Sequence, residues 1–138
     1  MIGDEVIQAA LIAKLKSLGV ITALVPSVEI RELQWQGNDF SHPNIRLDLE
    51  ENHYEYDEQE RCQLQYTEFS IYVYSQERSS KQASQIKTVI MTALIGLGFT
   101  GTGVKFSRLR LVDNVPAVRE DDKTWRTQIR LGSRITQA

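Results

Sequence analysis

Leu64-Gln65-Tyr66-Thr67-Glu68-Phe69-Ser70-Ile71-Tyr72-Val73-Tyr74 is the stretch whose reading decides the fold. It is dense in aromatic and β-branched side chains, which suit a pleated, half-buried surface. Phe69, Ile71 and Val73 alternate onto one face and Tyr66, Tyr72 and Tyr74 onto the other. Apolar mass on both sides predicts a central strand rather than an edge. Directly downstream, Ser79 and Ser80 offer hydroxyls that can cap a helix start. Ala83, Ile86, Ile90, Ala93, Leu94 and Leu97 then recur at helical spacing, one face of an amphipathic helix, and Gly96 and Gly98 stop it. Strand, short link and helix folded back make a minimal core from Cys62 to Leu97. The remaining segments read as additions to it.

The chain has 138 residues, 41% hydrophobic and 25% charged, with 16 basic and 18 acidic side chains and a formal net charge of −2. That length fits a single domain spanning 1–138 and can bury about two-thirds of the unfolded surface without a staple. The near-neutral balance gives no global electrostatic footprint for nucleic acid. The lone cysteine, Cys62, excludes an internal disulfide and a cysteine-based zinc site, and reads as a small buried hydrophobe. The apolar run near the start is broken by Lys14 and Lys16 and lacks a signal-peptide pattern. No run approaches the ~20 apolar residues that span a bilayer. A cytoplasm-like compartment, without membrane association, is expected.

Upstream of the core, Asp4 can cap a first helix with Glu5 near its positive end. Val6, Ile7, Ala10, Leu11, Leu15 and Leu18 form its stripe and Gly19 ends it. Val20 to Val25 reads as a single turn closed by Pro26, and Val28, Ile30 and Leu33 as a short strand. The segment from Trp35 to Pro43 is a loop. Ile45, Leu47 and Leu49 alternate with Arg46, Asp48 and Glu50, a strand buried on one face, and the polar run from Glu51 to Arg61 reads as a hairpin tip or a flexible loop. Downstream, Thr100-Gly101-Thr102-Gly103 is a turn. Val104 and Phe106 share one face of the next strand and Leu109 and Leu111 have the opposite parity, which predicts a bulge near Ser107 or Arg108. Asp113 to Lys123, with Pro116, reads as a polar connection, and Trp125, Thr127, Ile129 and Leu131 as a final strand with Arg126, Gln128 and Arg130 outward. A loose tail from Gly132 is expected. The fold class is α+β: a mostly antiparallel sheet of four to five strands with two helices packed on one face.

Catalytic motifs are sparse. His42 and His53 read as solvated loop residues with no nucleophile nearby in sequence, although a Ser/His/Asp set can assemble from distant positions. Asp121-Asp122 lacks the alternating oxygen ligands of a hard-cation loop. The glycine-rich run 96–103 follows a helix, whereas phosphate loops precede one. No catalytic residue, cofactor or metal site is expected. Charge segregation says more. Asp48, Glu50, Glu51, Glu55, Asp57, Glu58 and Glu60 form an acidic block without Lys or Arg up to Glu60, and the C-terminal part is rich in arginine. One reading is a solvated face and a loop. The sharper one joins acidic Glu55, Asp57, Glu58 and Glu60 to basic Arg108, Arg110, Arg126 and Arg130 across a head-to-tail interface between identical subunits.

The pattern resembles the tail-terminator (tail-completion, or neck) proteins of tailed bacteriophages and prophages. The likeness covers most of the chain: the helix from Val6 to Leu18, Pro43-Asn44-Ile45-Arg46-Leu47 opening a strand, the run from Tyr66 to Tyr74 leading to a helix with Ala83 and Ile86, and closing Trp125-Arg126-Thr127-Gln128-Ile129. The acidic stretch from Glu50 to Glu60 departs from the family pattern. The resemblance implies a structural, non-enzymatic protein of the virion neck, assembled in the host bacterial cytoplasm. It would cap the tail tube as a ring, generally hexameric, contacting copies of itself, the tail tube protein and the head–tail connector. DNA would pass through the lumen without specific binding; if the Glu50–Glu60 loop of this chain faces that lumen, its carboxylates would repel the phosphates. Three alternatives stand beside this: another neck, head-closure or tube component; a small α+β enzyme or ligand-binding domain; and a nucleic-acid module using Arg108, Arg110, Arg126 and Arg130 with Trp125.

Overall fold

The computed structural model describes residues 1–56 and 63–138. Their elements are α1 (Asp4–Ser17), α2 (Gly19–Thr22), a 3-10 turn (Ser27–Glu29), β1 (Ile30–Glu32), β2 (Asn44–Tyr56), β3 (Gln63–Ser75), α3 (Lys81–Leu94), β4 (Phe99–Gly101), β5 (Val104–Phe106), β6 (Arg110–Arg119) and β7 (Trp125–Thr136). The strand rich in aromatics, β3, is central, antiparallel to β2 on one side and to β7 on the other. Cross-strand register aligns Phe69 with Leu131 and Ile71 with Leu47 and Ile129. These side chains share one core with Ile7, Leu11 and Leu15 of α1 and with Ala83, Ile86, Ile90 and Leu94 of α3. Each fully buried Ile or Leu contributes about 1.5–3 kcal/mol, so this two-sided cluster is the main source of stability.

The sheet is larger than the sequence predicts, and it is mixed. Seven strands run in the order β1-β2-β3-β7-β5-β4, with β6 also pairing β7. β1 is parallel to β2. One of the extra strands, β4, comes from the glycine-rich run: Gly103, at φ 80°, turns it back onto β5. A Cβ at Gly101 would stand 2.7 Å from that of Ala10, so β4 lies against α1 because both positions are small. A third helix, α2, occupies the expected single turn.

The polar segment read as a connection is largely strand β6, extending to Arg119. Two register shifts, between Leu111 and Asp113 and between Val115 and Val118, scramble its alternation, and Pro116 falls inside the second, where a missing N–H is tolerated. The tail is also firmer than expected. β7 continues to Thr136, with Ser133 and Ile135 buried, because β5 pairs with its end at Ile135 and Thr136. The bulge near Ser107 is present: residues 107–109 oppose residues 133–134, three against two, between the Phe106–Ile135 and Arg110–Gly132 pairs.

Helix ends differ in detail. Gly3, not Asp4, is the N-cap of α1, and Leu18 its C-cap. Ser80 caps α3 without a side-chain bond, while Ser79 Oγ accepts from the Lys81 amide at 3.3 Å. His53 lies on β2 rather than in a loop. The expectations for Cys62, for the tip of the 51–61 loop and for Asp57, Glu58 and Glu60 fall outside the described residues.

Candidate functional site

The sheet face turned away from the core gathers the charge. Along β2 an extra residue, Glu50, is inserted between the Leu49–Phe69 and Glu51–Glu68 pairs. That insertion brings three carboxylates to one guanidinium. Arg130 stands 2.7 Å from Glu68, 3.4 Å from Glu51 and 3.9 Å from Glu50. The Tyr66 hydroxyl donates to the other Glu68 oxygen at 2.8 Å, and burial, reinforced by Glu68, raises the Tyr66 pKa. A Cβ at Gly132 would overlap the Tyr66 hydroxyl, so glycine there lets the ring lie across β7. Burial, with Glu50 adding to it, raises the carboxyl pKa of Asp48.

At one corner of the face, arginines and aromatic rings alternate. Arg31 lies 5.4 Å from the Trp35 ring and 4.2 Å from Phe40; Arg46 lies 4.1 Å from Phe40 and 4.0 Å from Tyr74. Cation–π contacts of this kind are worth about 0.5–1 kcal/mol where exposed and more where desolvated. Arg31 also bonds Glu29 at 3.1 Å. His42 sits near this corner with its pKa lowered by burial and by Arg46.

The structure separates the predicted site residues. Arg130 is taken up by the carboxylates on its own face. Arg126 lies 3.7 Å from Glu120, and Glu55 lies 3.7 Å from Arg134, an arginine the sequence reading left out of the candidate set. Arg108 and Arg110 are exposed, on the bulge and at the start of β6. Asp121 shapes a turn: its carboxylate accepts from the amides of Lys123 and Thr124, each at 2.8 Å, and the Lys123 bond leads the causes that lower its pKa. Among the described residues no group of three or more His, Cys, Asp or Glu side chains converges as a metal site. Among the described residues no helix is long and apolar enough to cross a membrane.

Sequence reasoning missed Lys87. It is 9% exposed, on the buried row of α3. Its ammonium donates to Asn114 Oδ1 at 2.7 Å and to the Val115 carbonyl at 3.2 Å, tying α3 to β6. Burial lowers its pKa. Its place in the sequence, one residue after Ile86 and three before Ile90, was the available signal.

Charge spread over a sheet face and along grooves defines a class: a mixed α/β domain whose polar chemistry lies on surfaces. Comparison with known proteins makes this specific. The family model described as tail completion protein gp17 matches residues 9–136, and the chain belongs to that family of phage tail-completion proteins. No curated protein matches. Among solved structures, a chain from the virion of a native gene transfer agent particle is similar in fold, with TM-score 0.79 and 18% identity, over 97% of this chain and 96% of that one. A second solved chain, without a descriptive name, aligns with TM-score 0.71 and 15% identity over 99% and 97% of the two chains.

Proposed function

We propose that this chain is a structural virion protein of the neck, which caps the finished tail tube as an oligomeric ring, with six subunits as the expected count, and presents the surface that joins the head–tail connector. The observation that carries this reading is the family match over residues 9–136. The likeness along nearly the whole chain to a component of a gene transfer agent virion supports it. The ring works by fit: contacts with its own copies, with the tube protein and with the connector stop tube growth and create the docking platform. DNA passes through the lumen and is not held there. No group on the chain is asked to perform chemistry.

The test is reconstitution. Purified full-length protein is added to tail tubes lacking a terminator and viewed by negative-stain electron microscopy. One ring at one end of each tube, with connector attachment depending on it, is the expected result. Indefinite polymers would identify a tube component instead. Turnover of a small molecule by the isolated monomer would overturn the structural reading.

A further inference from the structure

Every residue from Trp35 to Asp39 is exposed, yet the chain holds this loop from beneath. The anchor is the ion pair of Arg31 and Glu29, whose side chains are only 12% and 11% exposed. Arg31 donates to the carbonyls of Val28 at 2.9 Å, Asn38 at 2.7 Å and Asp39 at 3.3 Å. Glu29 accepts from the Ser41 amide at 2.8 Å, and the buried Asn44 side chain donates to the Ser41 carbonyl at 3.1 Å. A shielded ion pair is weak evidence for stability; here it fixes the shape of an exposed loop. A Cβ at Gly37 would come within 2.6 Å of the Trp35 ring, so the half-exposed indole rests against the backbone of its own loop.

The two arginines of this corner differ in what they leave open. Arg31 engages all three of its nitrogens within the chain. Arg46 engages one: its Nε donates to Asn44 Oδ1 at 2.9 Å. Phe40 and Tyr74 flank its guanidinium at 4.1 and 4.0 Å. Among the described residues its two terminal nitrogens, with four N–H groups, meet neither an acceptor nor a carboxylate. Tyr56, where the described part of β2 ends, lies ten residues further along the strand, about 30 Å away and beyond the span of a six-residue connection. With rings beside it, the guanidinium is approached along its edge, in one plane, and that fork fits an oxyanion bidentately.

A nucleic-acid strand is the poorer occupant. Bases stack on open aromatic faces, whereas Phe40 already carries Arg31 and Arg46, Tyr74 carries Arg46, and Tyr72 carries Arg126. Arg31 and Arg126 are paired with Glu29 and Glu120, so a run of phosphates would meet carboxylates as well as the one open fork. A single carboxylate needs only that fork. Exposed Trp, Tyr and Arg side chains held in place are also the residues that carry most of the energy of protein–protein contacts, and a surface shaped in advance loses little freedom on binding.

We propose that the corner formed by Trp35, Phe40, Arg46 and Tyr74 is a docking site for an acidic segment of another protein. One Glu or Asp carboxylate of that segment takes both terminal nitrogens of Arg46, and an aliphatic or proline side chain beside it covers Trp35. The site goes beyond the ring reading and does not depend on it.

Two measurements on the full-length protein test the proposal. Neither uses tail tubes, so their outcome is separate from that of the ring. In the first, the synthetic peptide acetyl-Pro-Leu-Glu-Leu-amide is titrated in and followed through the Arg46 Nε–H and Trp35 indole N–H signals. Saturable shifts confined to the corner are expected. Binding should weaken at least about tenfold when Gln replaces Glu in the peptide, and by a similar factor in Arg46→Lys, which keeps the charge and loses the fork. Trp35→Ala should weaken it less. No shift at about 10 mM peptide, equal binding of the Gln peptide, or tighter binding of a short DNA duplex would each overturn the proposal. In the second, sedimentation equilibrium at rising concentration compares the wild type with Arg46→Lys and Trp35→Ala. Unchanged self-association is expected; a variant that loses it would hand the corner to a second copy of this chain and sink the proposal as stated.

Discussion

On the inner face of β3, Phe69, Ile71 and Val73 are sealed into the core. On the outer face Tyr66, Glu68, Ser70, Tyr72 and Tyr74 lie among arginines and carboxylates. Both faces are well shielded, Ser70 as fully as Phe69, so burial does not tell them apart. The kind of shielding does. Inside, neighbours are apolar atoms whose packing is indifferent to salt and pH. Outside, the cover is made of long charged side chains held by ion pairs, which are screened by salt. A sheet can thus rest its stability on one side and keep the other adjustable for assembly.

Breaking the inner side should have the largest effect. Ile71→Ala should cost about 2–5 kcal/mol, read as a lowered urea midpoint with little dependence on ionic strength. Gly132→Ala attacks the outer side sterically, since the new Cβ meets the Tyr66 hydroxyl. It should cost about 1–3 kcal/mol, and adding Tyr66→Phe should recover part of it in a double-mutant cycle. Arg130→Met leaves Glu50, Glu51 and Glu68 facing one another; the expected loss is about 1 kcal/mol at low salt, shrinking as salt rises. An equal loss at high salt would mean that packing, not charge, governs this face. The smallest effect is the pH response of His42. Its folded pKa lies below the usual 6.5, so the unfolded chain binds the proton more readily. Stability should therefore fall as pH drops through 6.5 toward the lowered folded value and level off beneath it. In His42→Gln that slope should flatten.

How much of this was legible in the sequence follows from the same contrast. The period-two run from Tyr66 to Tyr74 and the helical spacing from Ala83 to Leu94 predict β3 and α3 because those patterns are set by a nearby core. β6 was illegible because two bulges shift its parity and most of its side chains are exposed. The ordered tail was missed because Gly132 and Ser133 are buried by neighbours from distant segments, Tyr66 and Ser107, a cause that no local pattern carries. At the surface, the sequence separates acidic from basic blocks. It does not show that Arg130 is consumed by Glu68 at 2.7 Å while Arg108 and Arg110 face a groove, since that depends on register and on the bulge at Glu50.

The arginine–aromatic corner also provides an optical handle. Trp35 is 46% exposed and sits beside Arg31, while Trp125 is partly buried against the core near Arg119. Two indoles in such different surroundings should differ in emission maximum and in access to iodide. Single-tryptophan variants would then report separately, by fluorescence alone, on events at the β1 corner and at the start of β7.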